Sequence, residues 1–163
     1  MAYFDKTWKT ELTTDASPTG LGAVLSQIDP QDPTRKRIVF YASRRLSEVE
    51  CKYSQVEREA LAVVWECERL RLYLVGKEFN LLVDNKAVQL IYGNPKSKPS
   101  ARLERWGLRL IPFTFKIMSY EPGASNIADY ISRNTTTEIK VKEDYVEEYV
   151  DSLVDTNLPA TIK

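Results

Sequence analysis

The sequence has 163 residues, 43% of them hydrophobic and 28% charged, and its 23 lysines and arginines balance 23 aspartates and glutamates. That size and composition fit one globular domain with a real core, and zero net charge excludes a protein that holds a polyanion by bulk electrostatics alone. With no histidine and only Cys51 and Cys67, the chain matches neither a zinc-ligand pattern nor a disulfide framework.

The charge is unevenly spread. Residues 1–137 carry 20 basic against 16 acidic residues, and residues 138–163 carry 3 against 7. A mildly basic domain over 1–137 and an acidic tail over 138–163 are therefore expected, with any anion-binding surface confined to a local patch. The two cysteines read as reduced thiols of an intracellular protein. No apolar run approaches the roughly 20 residues that span a bilayer, and no signal peptide is visible, so a soluble chain without membrane association is expected. Met1 followed at once by Ala2-Tyr3-Phe4-Asp5 reads as a start inside something longer.

In chain order, Thr10 to Ala16 and Leu21 to Gln27 are β-prone runs joined by the turn-forming Ser17-Pro18-Thr19-Gly20, which predicts a hairpin. A polar loop over Asp29 to Arg37 leads to a third strand, Ile38 to Ser43. From Ser54 the period changes: Val56, Ala60, Val63, Cys67, Leu70 and Leu74 mark one helix face. Ser54 with Glu57 forms a capping box and Gly76 a stop, predicting one helix of about 20 residues, roughly 30 Å long. Phe79 to Asp84 reads as a buried strand and Lys86 to Tyr92 as a short helix. A helix over Ala101 to Ile111 carries Leu103, Trp106 and Leu110 on one face; Phe113 to Tyr120 is a fifth strand, and Asn126 to Arg133 a closing helix. This order predicts an α/β fold with a mixed sheet, a three-strand meander followed by strands that return through helices. Tyr145, Val146, Tyr149, Val150, Leu153 and Val154 recur at helical spacing in the tail, as in an amphipathic helix.

Four acids stand out by position. Asp15 closes the first strand, Glu59 lies one turn into the long helix, Asp84 ends the fourth strand and Asp129 falls in the first turn of the last helix. If the first and fourth strands are parallel neighbours, Asp15 and Asp84 project from one edge. Glu59, about 60° around the helix from Val56, borders the face that packs on the sheet. Singly, each has an ordinary explanation: a turn acid, a surface charge, a helix N-terminal acid. Together they form a set of hard oxygen ligands suited to Mg²⁺ or Mn²⁺, and two such ions about 4 Å apart can serve phosphodiester hydrolysis.

Arg102, Arg105 and Arg109, preceded by Lys96 and Lys98, recur beside the apolar face of their helix. They are either a stripe that tracks phosphates or a solvated face. Trp65 and Trp106 read as core, not as base-stacking platforms.

Six blocks, in order, resemble the ribonuclease H domain that follows the reverse transcriptase in gypsy-type LTR retrotransposon polyproteins. They are Thr14-Asp15-Ala16-Ser17-Pro18 with Gly20 to Leu25; Phe40-Tyr41-Ala42-Ser43-Arg44; Tyr53 with Glu57, Glu59, Ala60 and Leu61; Asp84; Arg102 to Trp106; and Tyr120-Glu121-Pro122-Gly123 with Asn126 to Arg133. The resemblance covers about residues 1–137. It implies the RNase H-like fold, a five-stranded mixed sheet flanked by helices, and an Asp-Glu-Asp-Asp site for two Mg²⁺ that maps onto Asp15, Glu59, Asp84 and Asp129. It further implies hydrolysis of the RNA strand of an RNA/DNA hybrid, with Asp15 bridging both ions, Asp84 and Glu59 completing one shell and Asp129 helping to hold the other.

The same resemblance places Tyr120 where cellular enzymes have a catalytic His, and assigns Ser17 and Asn85 to substrate contact. Asn85 stands where gypsy-type sequences commonly have His; it keeps hydrogen-bonding capacity but does not titrate. The implied partners are the hybrid and the polymerase domain of a parent polyprotein, in a cytoplasmic virus-like particle. Two other readings compete. One is a captured retroelement fragment acting as a non-catalytic binding module, against which the four retained acids argue. The other is an integrase or junction resolvase of related fold, which lacks this Glu combined with this C-terminal block.

Overall fold

The computed structural model describes residues 2–83, 99–119 and 127–135. The expected helix at Lys86 to Tyr92 and the patterned tail lie outside these residues. Three antiparallel strands, β1 (Lys9–Ala16), β2 (Gly20–Ile28) and β3 (Lys36–Arg45), form the meander. Strands β4 (Glu78–Val83) and β5 (Thr114–Ser119) add in parallel on the other side of β1, giving the sheet order β3-β2-β1-β4-β5. β1 is thus the middle strand, covered on both faces, which is why its sequence shows no clean alternation of apolar and polar residues.

Register decides which side chains meet which layer, because residues paired directly across strands share a face. Leu12 pairs with Leu25, Thr14 with Ala23 and Ala16 with Leu21, so these residues share one face of the hairpin, and most of them join the main core. Asp15 pairs with Gly22 on the opposite face.

The core face is covered by α1 (Gln55–Arg69), whose start is the expected capping box: the Ser54 hydroxyl accepts from the Glu57 N–H and the Glu57 carboxylate accepts from the Ser54 N–H. The expected 20-residue helix is not continuous. Leu70 adopts φ −95°, ψ 19°, and a separate turn of helix, α2 (Arg71–Leu74), follows. The Tyr73 N–H bonds the Leu70 carbonyl three residues back, tightening the turn, and both Leu70 and Leu74 are buried by it. Gly76 then supplies the left-handed conformation, φ +76°, that ends the segment.

Helix α3 (Ala101–Leu110), capped by Ser100, buries Leu103, Trp106 and Leu110 as expected. It lies along α1, fixed by Arg102 on Glu57 at 2.8 Å and by Arg109 on Glu68 at 2.5 Å. Arg102 also lies 4.1 Å from the centre of the Tyr53 ring. Trp65 is half-buried against the core under the guanidinium groups of Arg44 and Arg69, and is not an open stacking platform. The last described helix, α4 (Ile127–Arg133), lies over the hairpin on the Asp15 and Gly22 face. Among the described residues, no helix is long and apolar enough to cross a membrane.

Candidate active site

Asp15 is the penultimate residue of β1 and only 6% exposed. A buried carboxylate must be compensated by strong donors. One is the Ser132 hydroxyl of α4, which donates to Asp15 Oδ2 at 2.6 Å.

The approach of α4 is made possible by glycines. A Cβ built on Gly22 would stand 2.5 Å from the Ala128 carbonyl oxygen, 2.7 Å from the Ser132 nitrogen and 2.8 Å from Ile131 Cγ1. At Gly20 it would stand 2.5 Å from the Ser132 carbonyl oxygen. The helix therefore rests on bare backbone.

Ser17 secures it: its hydroxyl accepts from the Gly20 N–H at 2.9 Å and donates to the Ser132 carbonyl at 2.8 Å. The side chain expected to contact substrate is thus buried and joined to α4.

Glu59, 3% exposed, arrives from α1 on the other face. The Gln55 amide, one turn earlier, donates to Glu59 Oε1 at 2.6 Å and to the Ala16 carbonyl at 3.1 Å. Arg58 in turn donates to Gln55 Oε1 at 2.6 Å, which fixes the amide's orientation. One glutamine therefore ties the Glu59 carboxylate to the residue after Asp15, at the end of β1.

Asp129, in the first turn of α4, is half-buried, and the Arg133 Nε donates to its Oδ1 at 2.8 Å. The Arg133 guanidinium is held above its ordinary pKa by that hydrogen bond and by the charges of Asp129 and Asp15, so both acids act on one cation.

Three of the four expected acids are thus placed on the ends of β1 and α4 and the first turns of α1. Asp84, Tyr120, Asn85, Lys96 and Lys98 lie outside the described residues. Among the described residues, no three His, Cys, Asp or Glu side chains come together closely enough to hold a metal ion. The donor chemistry nevertheless fits a hard cation. Asp15 and Glu59 are buried oxygen donors supported by neutral hydrogen bonds, with neither imidazole nor thiolate beside them. Cys67 is buried in the core, which pushes its thiol far above the ordinary range.

Of the three expected phosphate-tracking arginines, Arg102 and Arg109 are engaged by Glu57 and Glu68, while Arg105 is exposed and donates to the Ala101 carbonyl. Sequence reasoning passed over Gln55 and Ser132. The signal available was their spacing, four residues before Glu59 and three after Asp129.

Residues 5–113 match the family described as "RNase H-like domain found in reverse transcriptase". The chain is 36% identical over 137 residues, 84% of its length, to the retrovirus-related Pol polyprotein from transposon 297 of Drosophila melanogaster, and 39% identical over 124 residues, 75% of its length, to that from transposon opus of the same organism. It is 36% identical over 136 residues, 82% of its length, to the transposon Tf2-3 polyprotein of Schizosaccharomyces pombe. It spans only 12%, 12% and 10% of these relatives.

In fold it is similar to RNase H1 of Halobacterium salinarum (TM-score 0.58, 14% identity, 78% of this chain and 99% of that one) and to LC11-RNase H1 solved with an RNA/DNA hybrid (0.57, 14%, 77% and 95%). The foamy viral protease-reverse transcriptase with RNA/DNA hybrid is similar over 85% of this chain and 18% of that one (0.55, 13%). The sheet, the glycine-seated helix α4 and the identity to LTR-retrotransposon polyproteins agree: the chain belongs to the RNase H-like domains found in reverse transcriptases, and is of the gypsy type that its sequence blocks resemble.

Proposed function

We propose that this domain hydrolyses the RNA strand of RNA/DNA hybrids, with Asp15, Glu59, Asp84 and Asp129 holding two Mg²⁺, or Mn²⁺ in their place. The observation that carries the reading is two buried carboxylates, Asp15 near the end of β1 and Glu59 on α1, the latter linked through Gln55 to the Ala16 carbonyl, each supported by a neutral donor. Buried carboxylates favour a cation beside them. Thr14 pairs with Val83 in the parallel register, and Asp15 and Asp84 are the residues that follow each in sequence.

When bound, the ions would activate a water and stabilise the leaving oxygen of the scissile phosphate. The chain's own part is to hold the ligands: Gln55 orients Glu59, and Arg133 balances the charge of Asp129. Choice of RNA rests on groups that meet the 2′-hydroxyl across the minor groove; Asn85 is the candidate from the sequence, while Tyr120 is proposed as catalytic, standing where cellular enzymes have a His. Lys96, Lys98 and the exposed Arg105 are the candidates for phosphates.

The proposed partners are the hybrid and the polymerase domain of the parent polyprotein, in a cytoplasmic particle. That LC11-RNase H1 and the foamy viral enzyme were solved with RNA/DNA hybrid supports this choice of substrate. The proposed domain boundary is residue 137. The test is a cleavage assay on a labelled hybrid with and without Mg²⁺. Metal-dependent cutting of the RNA strand alone is expected, and the reading fails if hybrid is left intact with both Mg²⁺ and Mn²⁺ or is cut equally in a chelator.

A further inference from the structure

We propose that Ser132 is a positioning residue of this site, its hydroxyl fixing the Asp15 carboxylate from the same helix that carries Asp129. The inference rests on the metal-site reading above. The Ser132 Oγ lies 2.6 Å from Asp15 Oδ2 and 2.9 Å from the Asp129 carbonyl oxygen. Both are acceptors, and a hydroxyl has one proton to give. A serine bonding the carbonyl three residues back is ordinary in helices. Here the second acceptor is a carboxylate 117 residues away in sequence, and the shorter, charge-assisted contact takes the proton.

The serine has little freedom to do anything else. It is 0% exposed. Its carbonyl accepts from Ser17, and its backbone nitrogen faces the missing side chain of Gly22. A serine whose backbone is held in this way keeps its hydroxyl between the Asp15 carboxylate and the Asp129 carbonyl, which ties that carboxylate to the first turn of α4. Outer partners of this kind set metal affinity without touching the metal.

The test is calorimetric titration of the full chain with Mg²⁺ and with Mn²⁺, alongside melting without metal, for wild type, Ser132→Ala, Ser132→Cys and Asp15→Asn. Ser132→Ala is expected to melt a few degrees lower without metal, because a buried carboxylate loses a donor, and to bind Mg²⁺ roughly 10-fold more weakly. In the cleavage assay, the Mg²⁺ needed for half-maximal rate should rise by a similar factor, with kcat largely recovered at saturating metal. Ser132→Cys, close in volume but a weak donor, should lose affinity too and serves as the readout if the alanine variant does not fold. Wild-type Mg²⁺ affinity in either folded variant overturns the proposal, whatever happens to the melting temperature. If wild type binds neither ion and Asp15→Asn titrates identically, the metal reading fails and the proposal with it.

Discussion

Gly22 stands directly across the hairpin from Asp15, and the space its side chain would take is filled by the backbone of the helix that carries Asp129. The glycine next to the buried acid is therefore what lets a second acid come near.

Gly22→Ala should damage both stability and activity. The new Cβ would meet the Ala128 carbonyl and the Ser132 nitrogen, which are backbone atoms and cannot swing aside. Overpacking of this kind costs about 1–3 kcal/mol, and relief by lifting α4 would withdraw Asp129 and Ser132 from Asp15. Gly76→Ala is the control: its φ of +76° makes alanine strained, at a cost of about 1 kcal/mol, but nothing lies within 4 Å of the added carbon. Melting curves and hybrid cleavage of both variants check this. Equal retention of cleavage in the two would remove the glycine's role in placing α4.

Glu66 sits near the C-terminal end of α1 with 0% exposure, and among the described residues neither carboxylate oxygen has a hydrogen-bond partner. Burial pushes its pKa up to about 7 from 4.5, opposed only by Arg69, whose guanidinium also lies over the Phe40 and Trp65 rings. β2 carries no ionisable residue, and the nearby α3 arginines Arg102 and Arg109 are taken by Glu57 and Glu68. A folded-state pKa raised above the unfolded one means that this group's stability contribution is fully present below about 4.5 and lost as pH rises through about 7. The loss is on the order of 3 kcal/mol. Glu50 and Glu57 act with the opposite sign. Arg44 lowers the first, the Ser54 N–H the second, so their contributions are present above the unfolded value and lost as pH falls below it. Denaturant unfolding from pH 5 to 8 should show stability falling, and Glu66→Gln should flatten that slope. An unchanged slope in the variant would place the titration elsewhere.

Much of this architecture was legible because it rests on periodicity. The hairpin, the capping box at Ser54 and the Leu103, Trp106, Leu110 face follow from two β-prone runs around a turn-forming cluster, a cap and a 3.6 period. The break at Leu70 was not legible: Leu70 and Leu74 continue the stripe, and no proline or glycine interrupts it. Glu66 lies on the same arc as Val63 and Leu70, but a carboxylate there gives no sign in the sequence that it is buried. Asp15 and Asp84 were visible because carboxylates at strand ends are unusual, and Glu59 and Asp129 because they complete a set with them, whereas Gln55 and Ser132 were not, since a polar residue on a helix says nothing of its partner. The arginine stripe shows the same limit. Spacing gave the face; only the fold shows Glu57 and Glu68 opposite Arg102 and Arg109.

Those ion pairs separate the three arginines experimentally. Replacing Arg102 and Arg109 by alanine should lower stability by about 1 kcal/mol, since both pairs are partly exposed, and should change the salt dependence of hybrid binding little. Replacing the exposed Arg105 should leave stability alone and reduce the log–log salt slope by roughly 0.9 if it meets a phosphate. A slope reduced by 2 in the Arg102 and Arg109 double variant would mean that both leave their glutamates when the hybrid binds.

Asp15→Asn tests the site with the least disturbance to the fold. The asparagine carbonyl can still accept from Ser132, so the hydrogen bond is retained while the charge is lost. Removing a buried charge should leave stability in the absence of metal unchanged or up to about 1 kcal/mol higher. What should vanish is the response to metal. At 100 times its dissociation constant a bound ion stabilises the folded state by about 2.7 kcal/mol, a rise of several degrees for a domain of this size. Wild type should show that rise with Mg²⁺ or Mn²⁺, and the variant should show little of it and cleave hybrid orders of magnitude more slowly. Mg²⁺ raising the melting temperature of both proteins equally, or near wild-type cleavage by the variant, would move the metal and the chemistry away from the end of β1.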